Sequence, residues 1–188
     1  MRFQTLPRAT LRLGQALGVT LVALMLPMIN GCEEGGGEPM ETVPYVDLKR
    51  FMGDWYVVAN IPTFVEKGAY NPVETYALNP DGTIATTFTF NKDALDGPKK
   101  EYHPKGFVLD KKTNALWGMQ FIWPIKGDYR IIYLDDDYQL TVIGRAKRDY
   151  VWVMSRRPEF SDAEFQRMQQ FIQSVGYDGS KLERPPHG

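Results

Sequence analysis

Asn79-Pro80-Asp81-Gly82-Thr83-Ile84-Ala85-Thr86-Thr87-Phe88-Thr89-Phe90 is the stretch that decides the fold class. Its first four residues are turn formers in sequence, and the glycine supplies the positive φ that a tight hairpin needs. After the turn, Ile84, Thr86, Phe88 and Phe90 fall on one face of a strand and Ala85, Thr87 and Thr89 on the other. A period of two means that one face looks into an apolar space. The pattern recurs downstream: Trp117, Met119 and Phe121 alternate with Gly118 and Gln120, and Leu140, Val142 and Gly144 with Thr141 and Arg145. Turn signals at Asp96-Gly97-Pro98, Asp110 to Asn114, Lys126-Gly127-Asp128, Asp135-Asp136-Asp137 and Lys147-Arg148-Asp149 cut the chain at close intervals. They leave eight strand-like runs, at 54–62, 72–79, 83–91, 101–109, 115–123, 128–135, 138–146 and 149–156. Even spacing with short turns predicts an antiparallel meander, closed as an up-and-down barrel or packed as a sandwich.

One helix stands apart from the strands. Ser161-Asp162-Ala163-Glu164 is a capping box, in which the serine hydroxyl and the glutamate carboxyl each satisfy a free backbone N–H. Phe165, Met168, Ile172 and Val175 follow as one apolar stripe, suited to packing on the outside of a sheet, and Gly176 is placed to stop the helix. Gly179 to Gly188 reads as a short strand and then a loose tail. The formal net charge of −1 comes with no basic block, which gives no support for nucleic acid as a partner. One cysteine allows no internal disulfide, and two histidines make a Cys/His metal site hard to build. No cofactor is implied.

The amino terminus departs from this composition. Residues 1–31 carry Arg2, Arg8 and Arg12 and no acidic residue, followed by an apolar run from Leu17 to Ile29. That run is short of the ~20 residues that span a bilayer, so the segment reads as an export signal to be removed. Ile29-Asn30-Gly31-Cys32 resembles the lipobox of bacterial lipoproteins, with a small residue before the cysteine and Asn30 an unusual choice. The resemblance implies that Cys32 is acylated and becomes the first residue, anchoring the protein in a membrane. Glu33 stands where an aspartate would signal retention at the inner membrane, so the implied destination is the outer membrane. Residues 32–42, rich in Gly and Glu, read as a flexible tether. The folded domain is then 43–183, with 184–188 as the tail.

Gly53-Asp54-Trp55, at the start of the first strand and after a short helical turn from Asp47 to Met52, resembles the first lipocalin motif. Asp136-Asp137-Tyr138 is similar to the second, with Asp136 in the usual threonine place, and Ser155-Arg156 to the third. The similarity runs from about Val46 to Leu182. It implies an all-β, eight-stranded antiparallel up-and-down β-barrel with one C-terminal α-helix packed outside. Within the family the resemblance is to the bacterial lipocalin (Blc) group of outer-membrane lipoproteins and, further off, to apolipoprotein D. It also implies that Gly53, Trp55 and Arg156 are structural, with Trp55 plugging the closed end and the Arg156 guanidinium lying on its indole.

Parity from Trp55 and Arg156 places Val57, Ala59, Trp152 and Met154 inside the barrel. The family's register extends the inward set to Glu74, Tyr76, Thr86, Phe88, Phe90, Trp117, Met119, Phe121, Tyr129, Ile131, Tyr133 and Val142. Those above the plug would line a cup for a lysophospholipid or fatty acid, with Glu74 suiting an ammonium group. The resemblance also allows a homodimer, which would extend the pocket. Two other readings stay open: a barrel filled by its own side chains that serves as an envelope scaffold, and catalysis. For catalysis the usual parts are missing: the lone cysteine is spent on lipidation and no Gly-X-Ser-X-Gly elbow is present.

Overall fold

The computed structural model describes residues 39–188. The expected signal peptide, the acylated Cys32 and the tether up to Glu38 lie outside the described residues. The elements, in chain order, are α1 (Leu48–Phe51), β1 (Gly53–Ile61), β2 (Ala69–Leu78), β3 (Thr83–Lys92), β4 (Lys99–Tyr102), β5 (Lys105–Val108), β6 (Leu116–Ile122), β7 (Ile125–Leu134), β8 (Leu140–Gly144), β9 (Val151–Ser155), α2 (Asp162–Ser174) and a 3₁₀ turn (Gly179–Lys181). All strand pairings are antiparallel, and β1 pairs with both β2 and β9, which closes the sheet into a barrel. The run expected at 101–109 is divided into β4 and β5 by His103 and Pro104. Proline has no N–H to give to a ladder. β4 pairs with the upper half of β3 and β5 with the lower half, so the two short strands occupy one place in an eight-stranded wall.

Side chains divide into two apolar layers. The inner layer contains Phe51, Trp55, Val57, Tyr76, Ile84, Phe88, Phe90, Trp117, Met119, Tyr129, Ile131, Ile143 and Met154. The outer layer lies between the wall and α2, where Met168 and Ile172 are buried against Val58, Ala59, Val142, Val151 and Val153. Ser161 caps α2 in a capping box with Glu164, and Gly176 takes φ +92° just past the helix.

Two bulges overturn part of the expected inward face. In β1 the register slips between Val57 and Ala59, so Ala59 turns outward beside Val58 under α2. In β7 it slips between Ile131 and Tyr133. Ile131 points inward, whereas Tyr133 lies on the outer side with its ring 5.4 Å from Phe171 of α2. Val142 is paired with Tyr133 and is likewise buried in the outer layer, and Ile143 takes the inward place. Each extra residue reverses the parity of the residues beyond it. The turn expected at Lys126-Gly127-Asp128 is instead made by Trp123 and Pro124, and those three residues belong to β7.

The segment 184–188 is not loose. β1 and β2 are paired only from Gly53 to Tyr56. Above that point the tail lies along the seam: Asn60 and Glu183 bridge, Asn71 N donates to Pro186 O at 2.8 Å, and the His187 ring nitrogen lies 2.9 Å from Val57 O.

Candidate functional site: a plugged barrel with an open mouth

The closed end is built by the three motif segments meeting. Asp47 caps α1, and Trp55 donates from Nε1 to Phe51 O at 2.8 Å. The Arg156 guanidinium carbon sits 3.8 Å from the centre of the fully buried Trp55 ring. Its nitrogens also donate to the carbonyls of Arg50, Phe51, Met52 and Asp54 at 2.6–3.1 Å. Gly53 has φ +95°, and a Cβ there would lie 3.4 Å from Arg156 Nη1, so the first glycine serves both backbone and guanidinium. The Tyr138 hydroxyl accepts from Asp47 N at 2.8 Å, while the Arg50 guanidinium covers its ring at 4.0 Å. Above this plug Phe51, Tyr76 and Trp117 pack edge-on or tilted and fill the lower barrel.

The upper barrel is not filled. A cavity of about 320 Å³ opens at the end carrying the β1–β2 and β6–β7 connections. Glu74, Phe88, Met119, Tyr129 and Trp152 line it, with Phe121 at the mouth. Six of the twelve residues expected to contact a ligand are therefore brought together. Tyr76, Trp117 and Ile131 lie below in the packed layer, and Phe90 is buried behind Phe88 against Tyr102. Tyr133 and Val142 are outside the barrel altogether.

The polar content of this apolar space is specific. Glu74 is buried, and burial, together with the nearby negative charge of Glu66, raises its carboxyl from 4.5 to about 8. The Tyr76 hydroxyl donates to Glu74 Oε2, and the Tyr129 hydroxyl lies 2.5 Å from that of Tyr76. Burial, and then the charge of Glu74, push the Tyr129 phenol well above its ordinary value. At neutral pH the Glu74 carboxyl and the Tyr129 phenol are thus mostly uncharged. Glu66 accepts from Thr63 N (2.8 Å), Thr63 Oγ1 (2.7 Å) and Trp152 Nε1 (2.6 Å).

Sequence reasoning missed Thr63, Val65, Glu66, Ile122, Ile125, Asp128 and Arg145, all at the mouth. Arg145 follows β8 and is bonded to Asp149 at 3.3 Å, while its buried Nε has no hydrogen-bond partner among the described residues. A signal for it exists in the sequence: Thr141, Ile143 and Arg145 share one strand face, opposite to that of Val142. Nothing in the sequence marks Glu66, which lies in a loop that folds back over the mouth.

A small antiparallel barrel, plugged at one end and open through an apolar cavity at the other, is the architecture of a calyx that holds a small hydrophobic molecule. A profile of the Lipocalin-like domain matches residues 46–187. The chain is 33% identical to temperature-induced lipocalin-1 of Arabidopsis thaliana over 156 residues, spanning 78% of this chain and 82% of that protein. It is 32% identical to the outer membrane lipoprotein Blc of Escherichia coli K12 over 137 residues, spanning 72% and 76%. Among solved structures, insecticyanin from the tobacco hornworm Manduca sexta superposes with a TM-score of 0.64 at 13% identity, covering 82% of this chain and 87% of that one. The chain belongs to the lipocalin family.

Proposed function

We propose that the protein binds a single-chain amphiphile, a lysophospholipid or a fatty acid, with its acyl chain in the upper barrel. The observation that carries this reading is the cavity itself: about 320 Å³, walled by Phe88, Met119, Tyr129 and Trp152. That is near the lower end of small-molecule pockets, ~300–1,000 Å³, and suits one slender chain better than a fused-ring ligand. Each methylene buried there is worth ~0.8 kcal/mol, less the losses of binding, so micromolar affinity is expected. The headgroup would remain at the mouth. Arg145 offers a buried donor, without a partner among the described residues, for a phosphate or carboxylate, and Glu66, which also lines the cavity, favours an ammonium group. A lysophospholipid with an amine headgroup satisfies both. Glu74 is protonated at neutral pH and so tolerates an acyl chain beside it.

In this reading the protein is a carrier or holder rather than an enzyme. Its likeness to Blc and the lipobox-like Ile29-Asn30-Gly31-Cys32 support an outer-membrane lipoprotein anchored through acylated Cys32. Electrospray mass spectrometry of lipid extracted from the purified protein tests the proposal. Enrichment of lysophospholipid or fatty acid over the bulk extract is the expected result; recovery of neither, or of a ligand without an alkyl chain, would overturn it.

A further inference from the structure

The mouth is surrounded by large apolar side chains that none of the described residues covers. Trp123 and Phe64 are each 83% exposed, and Phe121, Ile122 and Ile125 are 60–73% exposed. Four of the five stand on the β6–β7 hairpin; Phe64 stands on the facing β1–β2 connection, with Lys67 exposed beside it. Phe121, Ile122 and Ile125 also line the cavity, so its apolar wall continues without a break onto the outer rim. Water is a poor neighbour for such a surface. Tryptophan at the apex of a hairpin suits the boundary between headgroups and acyl chains, where one side of the ring is wet and the other apolar.

The path of the chain supplies a second, independent argument. Met40 packs at the level of Gly144, and Arg130 Nη1 donates to its carbonyl at 3.1 Å. From there the chain descends: Val43 N donates to Ile131 O, and Val46 N to Thr113 O near the closed end. The described chain therefore enters the barrel from the side of the open mouth. Five residues of β7 separate Arg130 from Ile125 at the rim, roughly 17 Å at ~3.3 Å per residue. Cys32 precedes Pro39 by seven residues, a maximum reach of roughly 25 Å at ~3.6 Å per residue. An acylated Cys32 can thus lie in the same plane as the rim.

We infer that the rim is a membrane-docking surface, seating the barrel mouth-down on the bilayer from which it takes its ligand. This rests on the reading of the cavity as an acyl site. Docking removes the aqueous gap that an acyl chain would otherwise have to cross, so uptake occurs during contact with the bilayer.

The test uses the protein extracted from membranes and reconstituted into phosphatidylcholine–phosphatidylglycerol vesicles with brominated acyl chains. Bromine quenches tryptophan only on contact, and Trp55 and Trp117 are fully buried. The expected result is a quenchable component in the wild type that falls in Trp123→Phe to the part Trp152, in the cavity wall, contributes. Equal quenching of the two proteins would overturn the inference, as would cross-linking that shows the rim covered by a second copy. A second variant, Phe64→Asp with Trp123→Asp, changes only residues outside the cavity lining. It should slow uptake of a fluorescent acyl probe from vesicles at least about tenfold, given the apolar area withdrawn from the bilayer. Unchanged uptake would also overturn it. Titration of the same probe in vesicle-free buffer reports on the cavity, and the mass of the N-terminal peptide on the anchor, so failure of docking is separable from failure of either.

Discussion

Replacing Glu74 by glutamine isolates the energetic consequence of a carboxyl placed in the apolar cavity. In the folded chain this group titrates near 8, against an ordinary value of 4.5. Below pH 4.5 the carboxyl is protonated in both folded and unfolded chains, and its contribution does not change with pH. Between 4.5 and about 8 the unfolded chain loses the proton while the folded chain keeps it, so folding stability falls as pH rises. Above about 8 both are ionised and the loss levels off. The interval of 4.5 to about 8, at about 1.4 kcal/mol per pH unit, corresponds to about 5 kcal/mol. Glutamine retains an acceptor for the Tyr76 hydroxyl and has no proton to lose. Glu74→Gln should therefore match the wild type near pH 4.5 and exceed it by about 5 kcal/mol at pH 9, a difference of about 10–20 °C in melting temperature for a domain of this size. Thermal unfolding of both proteins, followed by circular dichroism at pH 5, 7 and 9, measures the difference. Stability curves that run parallel from pH 5 to 9 would refute the reasoning, because they would show that Glu74 ionises in the fold as it does in water.

Binding of a fatty acid should weaken in the wild type as pH rises through 8, where a second negative charge appears in the cavity, and should not weaken in Glu74→Gln; probe titration across that range measures it. Arg145→Gln should lower affinity for lysophospholipid about tenfold by removing the cationic donor at the mouth, while a neutral monoacyl alcohol binds as before; calorimetry with the two ligands separates them. Arg156→Lys should cost about 2–4 kcal/mol in urea unfolding, since an ammonium cannot cover the Trp55 ring and reach four carbonyls at once. Deleting residues 184–188 should speed amide exchange at Val57 to Ile61 and Ala69 to Asn71, where the tail spans the seam between β1 and β2, and leave exchange in β6 unchanged.

The barrel was legible because its cause is local. Alternation such as that from Ile84 to Phe90 needs no partner to be read, and the turn at Asn79 to Gly82 fixes where the chain reverses. The closed end was legible for a different reason: Gly53, Trp55 and Arg156 form a contact set whose spacing along the chain is itself recognisable. The helix stripe of Phe165, Met168, Ile172 and Val175 rests on a period that nothing interrupts. The site was only half legible. Parity counting carries a face along a strand until a residue is inserted, and the bulges after Val57 and Ile131 insert one without any mark in composition. Ala59 and Tyr133 are displaced in this way. Val142 is not: β8 has no inserted residue, and it is Ile143, paired with Trp152, that faces inward, with Arg145 two residues further on. The mouth was illegible for a further reason. Thr63, Glu66 and Phe64 belong to a connection, where direction is set by contacts across the barrel rather than by period. Glu66 is held by Trp152, eighty-six positions away in sequence.

The central claim is that the upper barrel receives one acyl chain. Titration of the purified, delipidated protein with a conjugated, intrinsically fluorescent long-chain fatty acid tests it most directly, read through energy transfer from Trp152 in the cavity wall. The account predicts saturable one-to-one binding in the micromolar range, displacement by lysophospholipid, and loss of binding in a correctly folded Phe88→Glu variant. Fluorescence that rises without saturating, or that is the same in Phe88→Glu, would contradict it.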